Sequence, residues 1–118
     1  MSLLTKLTDQ EFVGREETMQ QMKGLTAMRV HEEGSLQLEV GSSVLLPMLD
    51  TGPIVEGTYF DDDANWDRWD QPRVHVRLHA WKRKLDFLEI FKDDASDIIW
   101  KPDPNKLELF TYFPVKVG

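Results

Sequence analysis

The sequence predicts an α+β domain in which an N-terminal helix packs on one antiparallel sheet of about five to six strands. Two observations carry this prediction. Apolar and polar residues alternate over residues 73–81 and over several shorter segments, which is the period of a half-buried strand. Residues 15–23 form the one segment with a helical pattern, and Gly24 follows them as a stop signal. The 118 residues suffice for a single domain, residues 1–118, with its own core.

The N-terminal segment is predicted to form an arm followed by the helix. The TDQE motif at residues 8–11 has the spacing of a capping box, in which a threonine and a glutamate close a first helical turn. Gly14 interrupts this segment, so we expect the helix over residues 15–23, with Met19 and Met22 on its inner face. The apolar residues expected to anchor the arm to the core are Leu4, Leu7 and Phe12.

The strand patterns follow from residue 27 onward. Residues 32–34, EEG, supply the turn of a first hairpin, and the basic residues Lys82–Lys84 supply a second tight turn. In chain order the segments are a hairpin over 27–40, then 54–60, 73–81, 85–91, a short segment at 98–100 and a last one over 106–113.

The segment RVHVRLHAW, residues 73–81, shows the clearest alternation. Successive side chains of a strand point to opposite faces, so one set faces the core and the other faces away from it. The inner set is Val74, Val76, Leu78 and Ala80, and the outer set is His75, Arg77, His79 and Trp81. We therefore expect Val76, Leu78 and, on the next strand, Phe87 to be buried between sheet and helix.

Four sequence segments occur in a recognisable order. They are GREETMQQMKG, GSLQLEV, VHVRLHAW, and KLDFLEIFKDDASDI followed by PDPNKLELF, and together they lie within residues 12–110. This order resembles a family of small uncharacterised bacterial domains with the pattern GSLxLEV, LxELEIYKDDxSPI and PDP. The resemblance implies an α+β fold and implies no activity. The loop after DDDA is longer here than in that family, which makes residues 61–72 the most individual part of this chain.

Charge and composition limit the expected partners and compartment. The formal net charge of −7 repels nucleic-acid phosphates and anionic lipids, so neither nucleic acid nor a membrane is an expected partner. The longest apolar run, Val44–Leu49, is far too short to span a bilayer, and the N-terminus lacks the apolar stretch of a secretory signal. The absence of cysteine excludes disulfides and thiolate chemistry and fits a reducing compartment, so we expect a cytoplasmic protein.

The segment DDDANWDRWDQP, residues 61–72, is the leading candidate for a partner-binding site. Tryptophan is enriched at interface hot spots, and surrounding carboxylates would steer a basic protein toward it. Alternatively, the loop folds back and both indoles cover the sheet edge. The predicted anchors are Trp66 and Trp69, and the predicted steering charges are Asp61, Asp62, Asp63, Asp67 and Asp70.

Two classes of function follow from these features. The first is a small acidic binding module for a basic protein, of which an inhibitor of the immunity-protein type is one version by analogy of size and charge. The second is a small-molecule-binding or enzymatic domain, whose site forms where His75, Arg77 and His79 meet an acidic turn. An exposed Trp66–Trp69 loop on a flat surface favours the first class, and a concave pocket lined by histidine and arginine favours the second.

Neither a metal nor another cofactor is expected. His75 and His79 lie about 13 Å apart at ~3.3 Å per strand residue, too far to share one ion. The aspartates at residues 61–63 lack the alternating ligands and central glycine of a calcium loop. The acidic loop and the basic turn at Lys82–Lys84 are expected at opposite ends of a strand, about 26 Å apart. Such a polar molecule is expected to form at most a weak homo-oligomer, head to tail.

Overall fold

A computed structural model describes residues 2–30, 34–61 and 71–115. The described helices and strands, numbered in chain order, are α1 Leu3–Leu7, α2 Arg15–Met22, β1 Thr26–Arg29, β2 Leu36–Glu39, β3 Gly52–Tyr59, β4 Val74–Trp81, β5 Lys84–Lys92, a short 3₁₀ helix Pro104–Lys106 and β6 Glu108–Thr111. The strands form one antiparallel sheet in the order β1-β2-β5-β4-β3-β6. The predicted α+β fold is confirmed.

The β4–β5 hairpin forms the centre of the sheet. Its two turn residues, Lys82 and Arg83, have φ values of 52° and 65°. Positive φ at both positions matches a type I′ turn, whose twist agrees with that of the strands on either side. The basic turn therefore lies where the sequence predicts it, at the far end of β4 from residue 73.

A bulge in β5 decides which of its side chains face the core. Ala80 pairs with Leu85 while His79 pairs with Phe87, so Asp86 is an extra residue without an opposite partner. As a result Leu85 and Leu88 both point inward and are buried. Phe87 lies on the other face and is only partly buried. The prediction that Phe87 belongs to the core is therefore wrong.

The inner face of the sheet carries the hydrophobic core, which the helices and the loop before β3 cover. The predicted inner set of β4 is buried along its whole length. The predicted anchors Leu7 and Phe12 belong to this core, and Leu4 packs against it. The remaining buried apolar residues are Leu38, Leu46, Ile54, Val55, Tyr59, Leu85, Leu88, Ile90 and Leu107.

Helix α2 docks mainly through polar side chains, and only one of its two methionines packs against the core. Gln21 is fully buried, and its amide donates to Val44 O at 2.7 Å and to Arg83 O at 3.0 Å. Its carbonyl accepts from Leu85 N–H at 2.8 Å. The helix lies against the end of the β4–β5 hairpin, where free backbone groups require such partners. Met19 therefore faces solvent, contrary to prediction, while Met22 packs against the core.

Two further local predictions are wrong. Thr8 ends α1 instead of starting a helix, because its hydroxyl donates to Leu4 O at 3.0 Å and Ser2 caps the helix start. Residues 98–100 do not form a strand, since Ile99 N–H donates to the side chain of Asp61 at 2.6 Å rather than to a neighbouring strand. None of the helices in the described part of the chain is long and apolar enough to cross a bilayer.

Candidate functional site

The second face of the sheet, which we call the outer face, carries an ordered set of charged and aromatic side chains. None of them belongs to the hydrophobic core cluster. The strand register places Glu89, Arg77 and Glu56 in one row across the sheet, and Phe91, His75 and Thr58 in the next. The outer face comprises Glu56, Thr58, His75, Arg77, His79, Phe87, Glu89, Phe91 and, on the edge strand, Phe110.

Glu56 is the centre of this face. Its carboxylate accepts hydrogen bonds from His75 Nδ1 at 2.8 Å, from Tyr112 Oη at 2.9 Å and from Arg77 Nε. Only 9% of its side chain is exposed. Burial alone would raise the pKa of Glu56, but the hydrogen bonds from these three groups outweigh it and hold the pKa below its ordinary value of 4.5. The ionised carboxylate is thus the stable form within the fold.

His75 bridges two carboxylates. Its Nδ1 contacts Glu56, and its Nε2 lies 2.5 Å from Asp93 Oδ1. The ring also stacks on Phe91, with centroids 4.7 Å apart and planes inclined by 8°. Both ring nitrogens are therefore engaged, which leaves neither of them free to act as a base toward a ligand.

Asp93 belongs to the acidic turn that follows β5, and it joins this turn to the outer face. Its second oxygen accepts from the backbone N–H of Arg73 at 3.0 Å. Burial alone would raise the pKa of Asp93, but the Arg73 N–H and the His75 side chain outweigh it and lower that pKa. The structure thus brings His75, one of the three residues suggested for a ligand site, into contact with this acidic turn.

Arg77 and His79 also make contacts on the outer face. The Arg77 guanidinium lies 4.8 Å from the centroid of the Phe91 ring, and His79 Nε2 lies 2.9 Å from Glu89 Oε1. Since each histidine contacts different carboxylates, the structure does not bring His75 and His79 together on one ion. Within the described residues, no group of three or more histidine, aspartate or glutamate side chains is arranged to hold a metal.

The concave regions of the described surface are open grooves. One groove, of about 680 Å³, lies beside β5 and is lined by residues 89–92 and 95–98, which do not include His75 or Arg77. A shallower groove of about 360 Å³ is lined by His79 together with Trp81, Phe87 and neighbouring residues. Of the predicted histidine–arginine set, His79 therefore lines a groove, whereas neither of these two grooves is lined by His75 or Arg77.

Asp61 does not act as the steering charge that the sequence suggested. Its side chain is fully buried, and Lys92 Nζ lies 3.0 Å from Oδ1 and 3.2 Å from Oδ2, with hydrogen-bond geometry met at Oδ2. Oδ2 also accepts from Ile99 N–H at 2.6 Å. A buried carboxylate neutralised by an ammonium group contributes little field to the surface. The other predicted residues of this loop, Asp62, Asp63, Trp66, Asp67, Trp69 and Asp70, lie outside the described residues.

Sequence reasoning missed two residues of this site, Glu56 and Tyr112. The only available signal was the single acidic residue inside the apolar segment IVEGTYF. Comparison of the chain with family models, with curated proteins and with solved structures finds no match in any of the three. The resemblance to small bacterial domains therefore stays a prediction.

Proposed function

We propose that this chain is a cytoplasmic protein-binding module that engages a basic protein partner through its outer face. The observation that supports the proposal is the contrast between the two faces of the sheet. One face is covered by helices and loops, whereas the other presents fixed ion pairs among aromatic rings. Arginine and aromatic residues are enriched at protein interfaces and dominate their hot spots.

The rigidity of the outer face favours recognition of a partner. His75 and Arg77 both contact the Phe91 ring, and both hydrogen-bond to Glu56. Side chains already fixed before association lose little conformational entropy on binding. The grooves found on the described surface are open rather than enclosed, which fits a protein partner better than a small ligand.

Charge complementarity selects a basic partner. The chain carries a net charge of −7, and Glu108, on the same face as Phe110, is 76% exposed although it contacts Arg73. Phe110 itself is 52% exposed and meets Tyr112 edge-on, with centroids 4.9 Å apart. A lysine or arginine of the partner would lie on the Phe110 ring with Glu108 as its counter-charge. In this proposal Phe110 is the anchor.

The loop of residues 62–70 is part of the proposal as a second contact. It connects β3 to β4 in the sequence, and those two strands carry Glu56, His75 and Arg77 on the outer face. Trp66 and Trp69 would extend the aromatic contact area, and the aspartates around them would add steering charge.

The competing proposal of a small-molecule or enzymatic site receives less support. Both nitrogens of His75 are engaged by carboxylates, and Arg77 Nε is committed to Glu56. Acid–base catalysis requires a group that reaches the substrate proton. The groove of about 680 Å³ beside β5 is lined by neither of these two residues.

The proposal is tested by capture and then by titration. The partner is captured from extracts of the source cell, identified by mass spectrometry, purified and titrated by calorimetry. Phe110→Ala is compared with Leu45→Ala, because Leu45 has a similar exposure of 48% against 52% and lies in the loop before β3. We expect a basic partner whose binding weakens about tenfold or more in Phe110→Ala and by less than about twofold in Leu45→Ala. A neutral or acidic partner, or equal effects of the two substitutions, would contradict the proposal.

A further inference from the structure

The two edge strands of the sheet differ in whether another described segment of the chain covers them. On β6, Gln10 Nε2 donates to Phe110 O at 3.2 Å, and Val13 N–H donates to Phe113 O at 2.9 Å just beyond the strand. The N-terminal segment therefore covers this edge. On β1, all four residues are exposed, and the strand pairs with β2 alone among the described residues. An uncovered edge is a template for another strand.

Among the described residues, the backbone groups of β1 that the pairing with β2 leaves unused belong to Ala27 and Arg29. Val30 N–H donates to Ser35 O at 3.0 Å, so the backbone of Val30 is turned toward the β2 side of the hairpin. In an antiparallel ladder this orientation alternates from residue to residue. Met28 therefore also faces β2, while Ala27 and Arg29 direct their N–H and C=O groups outward. The edge thus presents two donors and two acceptors.

We propose that the free edge of β1 binds β1 of a second copy of this chain, antiparallel, about a two-fold axis at Met28. In this register Ala27 lies opposite Arg29 of the second copy, and Arg29 lies opposite its Ala27. Because the backbone groups of these residues face outward, the N–H and C=O groups of Ala27 and Arg29 in the two copies form four hydrogen bonds. Each of these outward-facing groups then has a partner. The interface is self-complementary, as a two-fold contact requires.

The side chains of β1 support the same register. Met28 is 67% exposed in the single chain, and the axis brings the two Met28 side chains together as a closely spaced pair without hydrogen bonds. Val30, also exposed, lies opposite Thr26 of the second copy. The apolar side chains of Met28 and Val30, which are exposed to solvent in the single chain, are thus buried in the dimer.

The composition of the edge selects a second copy over the basic partner proposed above. β1 carries Arg29 and no acidic residue, so a basic segment would place like charges beside each other. In the two-fold register each Arg29 lies opposite an alanine instead. The contact uses none of the outer-face ion pairs, so it goes beyond the proposed function and stands independently of it.

The electrostatics of this dimer are distinctive. Each copy carries a net charge of −7, so the two copies repel at long range, and added salt strengthens the association by screening that repulsion. A head-to-tail contact between an acidic and a basic end would instead weaken with salt. The short strand contact buries less than the ~1,200 Å² of a standard interface, so the dimer forms only at high concentration.

Sedimentation equilibrium of the full chain tests the proposal from about 10 μM to about 1 mM, at low and at high salt. We compare the wild type with Ala27→Pro and Ala27→Val. Proline removes the outward N–H of Ala27, a position at which an edge strand tolerates it, and leaves the bonds to β2 in place. Valine keeps that N–H. The wild type and Ala27→Val should shift from 13.8 kDa toward twice this mass as concentration and salt rise, while Ala27→Pro stays at 13.8 kDa.

A wild type that remains at 13.8 kDa under all these conditions overturns the proposal. So does a mass that falls with added salt, or association of Ala27→Pro equal to that of the wild type. Circular dichroism shows whether Ala27→Pro is folded. If it is not, Met28→Lys replaces it, because two lysines opposite each other at the axis repel while an exposed position tolerates the change. Met28→Lys should then weaken association about tenfold or more, and no weakening overturns the proposal.

Discussion

The buried ion pair between Asp61 and Lys92 gives the sharpest prediction for stability. Asp61 is 0% exposed, the Lys92 side chain is 7% exposed, and Nζ lies 3.0 Å from Oδ1. At this distance and an effective dielectric constant of about 20, the gross attraction is roughly 5 kcal/mol, and desolvation of both groups offsets much of it. The ion pair as a whole therefore adds little to the free energy of unfolding. Each charge, however, is stable in its buried position only while the other is present.

Removing one partner leaves the other charge buried without compensation. Lys92→Met keeps most of the volume of the side chain and strips the counter-charge from Asp61, so we expect a loss of about 3–5 kcal/mol in the free energy of unfolding. A domain of this size has a total stability of about 5–15 kcal/mol, so the loss is a large fraction of it. Asp61→Asn should produce a comparable loss, because it leaves the Lys92 ammonium buried.

Urea titration at neutral pH measures these losses, and the double variant Asp61→Asn with Lys92→Met closes a double-mutant cycle. The double variant should be less destabilised than the sum of the single variants, because it leaves no unpaired charge. Glu89→Gln is the matched control, because its contact with His79 is partly exposed and should cost no more than about 1 kcal/mol. A loss under about 1 kcal/mol in Lys92→Met would refute the reasoning, since it would show that water reaches the pair.

Four further outcomes are expected. Leu78→Ala should cost about 2–5 kcal/mol in a denaturant titration, because Leu78 is fully buried; a loss below about 1 kcal/mol would place it outside the core. Because the pKa of Glu56 is lowered in the folded state, its ionised carboxylate stabilises the fold at pH values above the ordinary pKa of 4.5. This contribution is lost as the pH falls through the pKa of the folded state. Glu56→Gln should therefore reduce the dependence of stability on pH in this acid range. Thermal unfolding with and without a chelator should coincide; a lower midpoint restored by one divalent ion would reveal a structural metal. Trp66→Ala with Trp69→Ala should change stability by less than about 1 kcal/mol and abolish partner capture, whereas a loss of several kcal/mol would make both tryptophans part of the core.

Local alternation was sufficient to assign the faces of β4. His75, Arg77 and His79 lie on the face opposite the core, as their spacing in the sequence predicts. The same reasoning fails on β5 because of the bulge at Asp86. One extra residue moves the side chains beyond it to the opposite face of the sheet, and the local sequence carries no sign of the bulge. The face on which Phe87 lies was therefore not predictable from its own strand.

Long-range partners explain the other errors. An acidic run predicts solvent exposure, but the burial of Asp61 depends on Lys92 and Ile99, which lie far along the chain. The role of Glu56 depends on β3 being the neighbour of β4, a fact of sheet order that no local pattern contains. Met19 was misassigned for a related reason, since the end of a hairpin offers backbone groups that a glutamine satisfies better than a methionine.

The pairing of β3 with β6 has a consequence for how the chain folds. The β3–β4 and β4–β5 pairs join segments that follow one another in sequence, but Val55 pairs with Thr111 far later in the chain. Closing such a long loop is entropically unfavourable, so this pairing is expected late in folding. Tyr112, which completes the contacts of Glu56, comes into place with β6. A nascent or partly folded chain therefore displays an incomplete outer face, and recognition of that face would report that folding has finished.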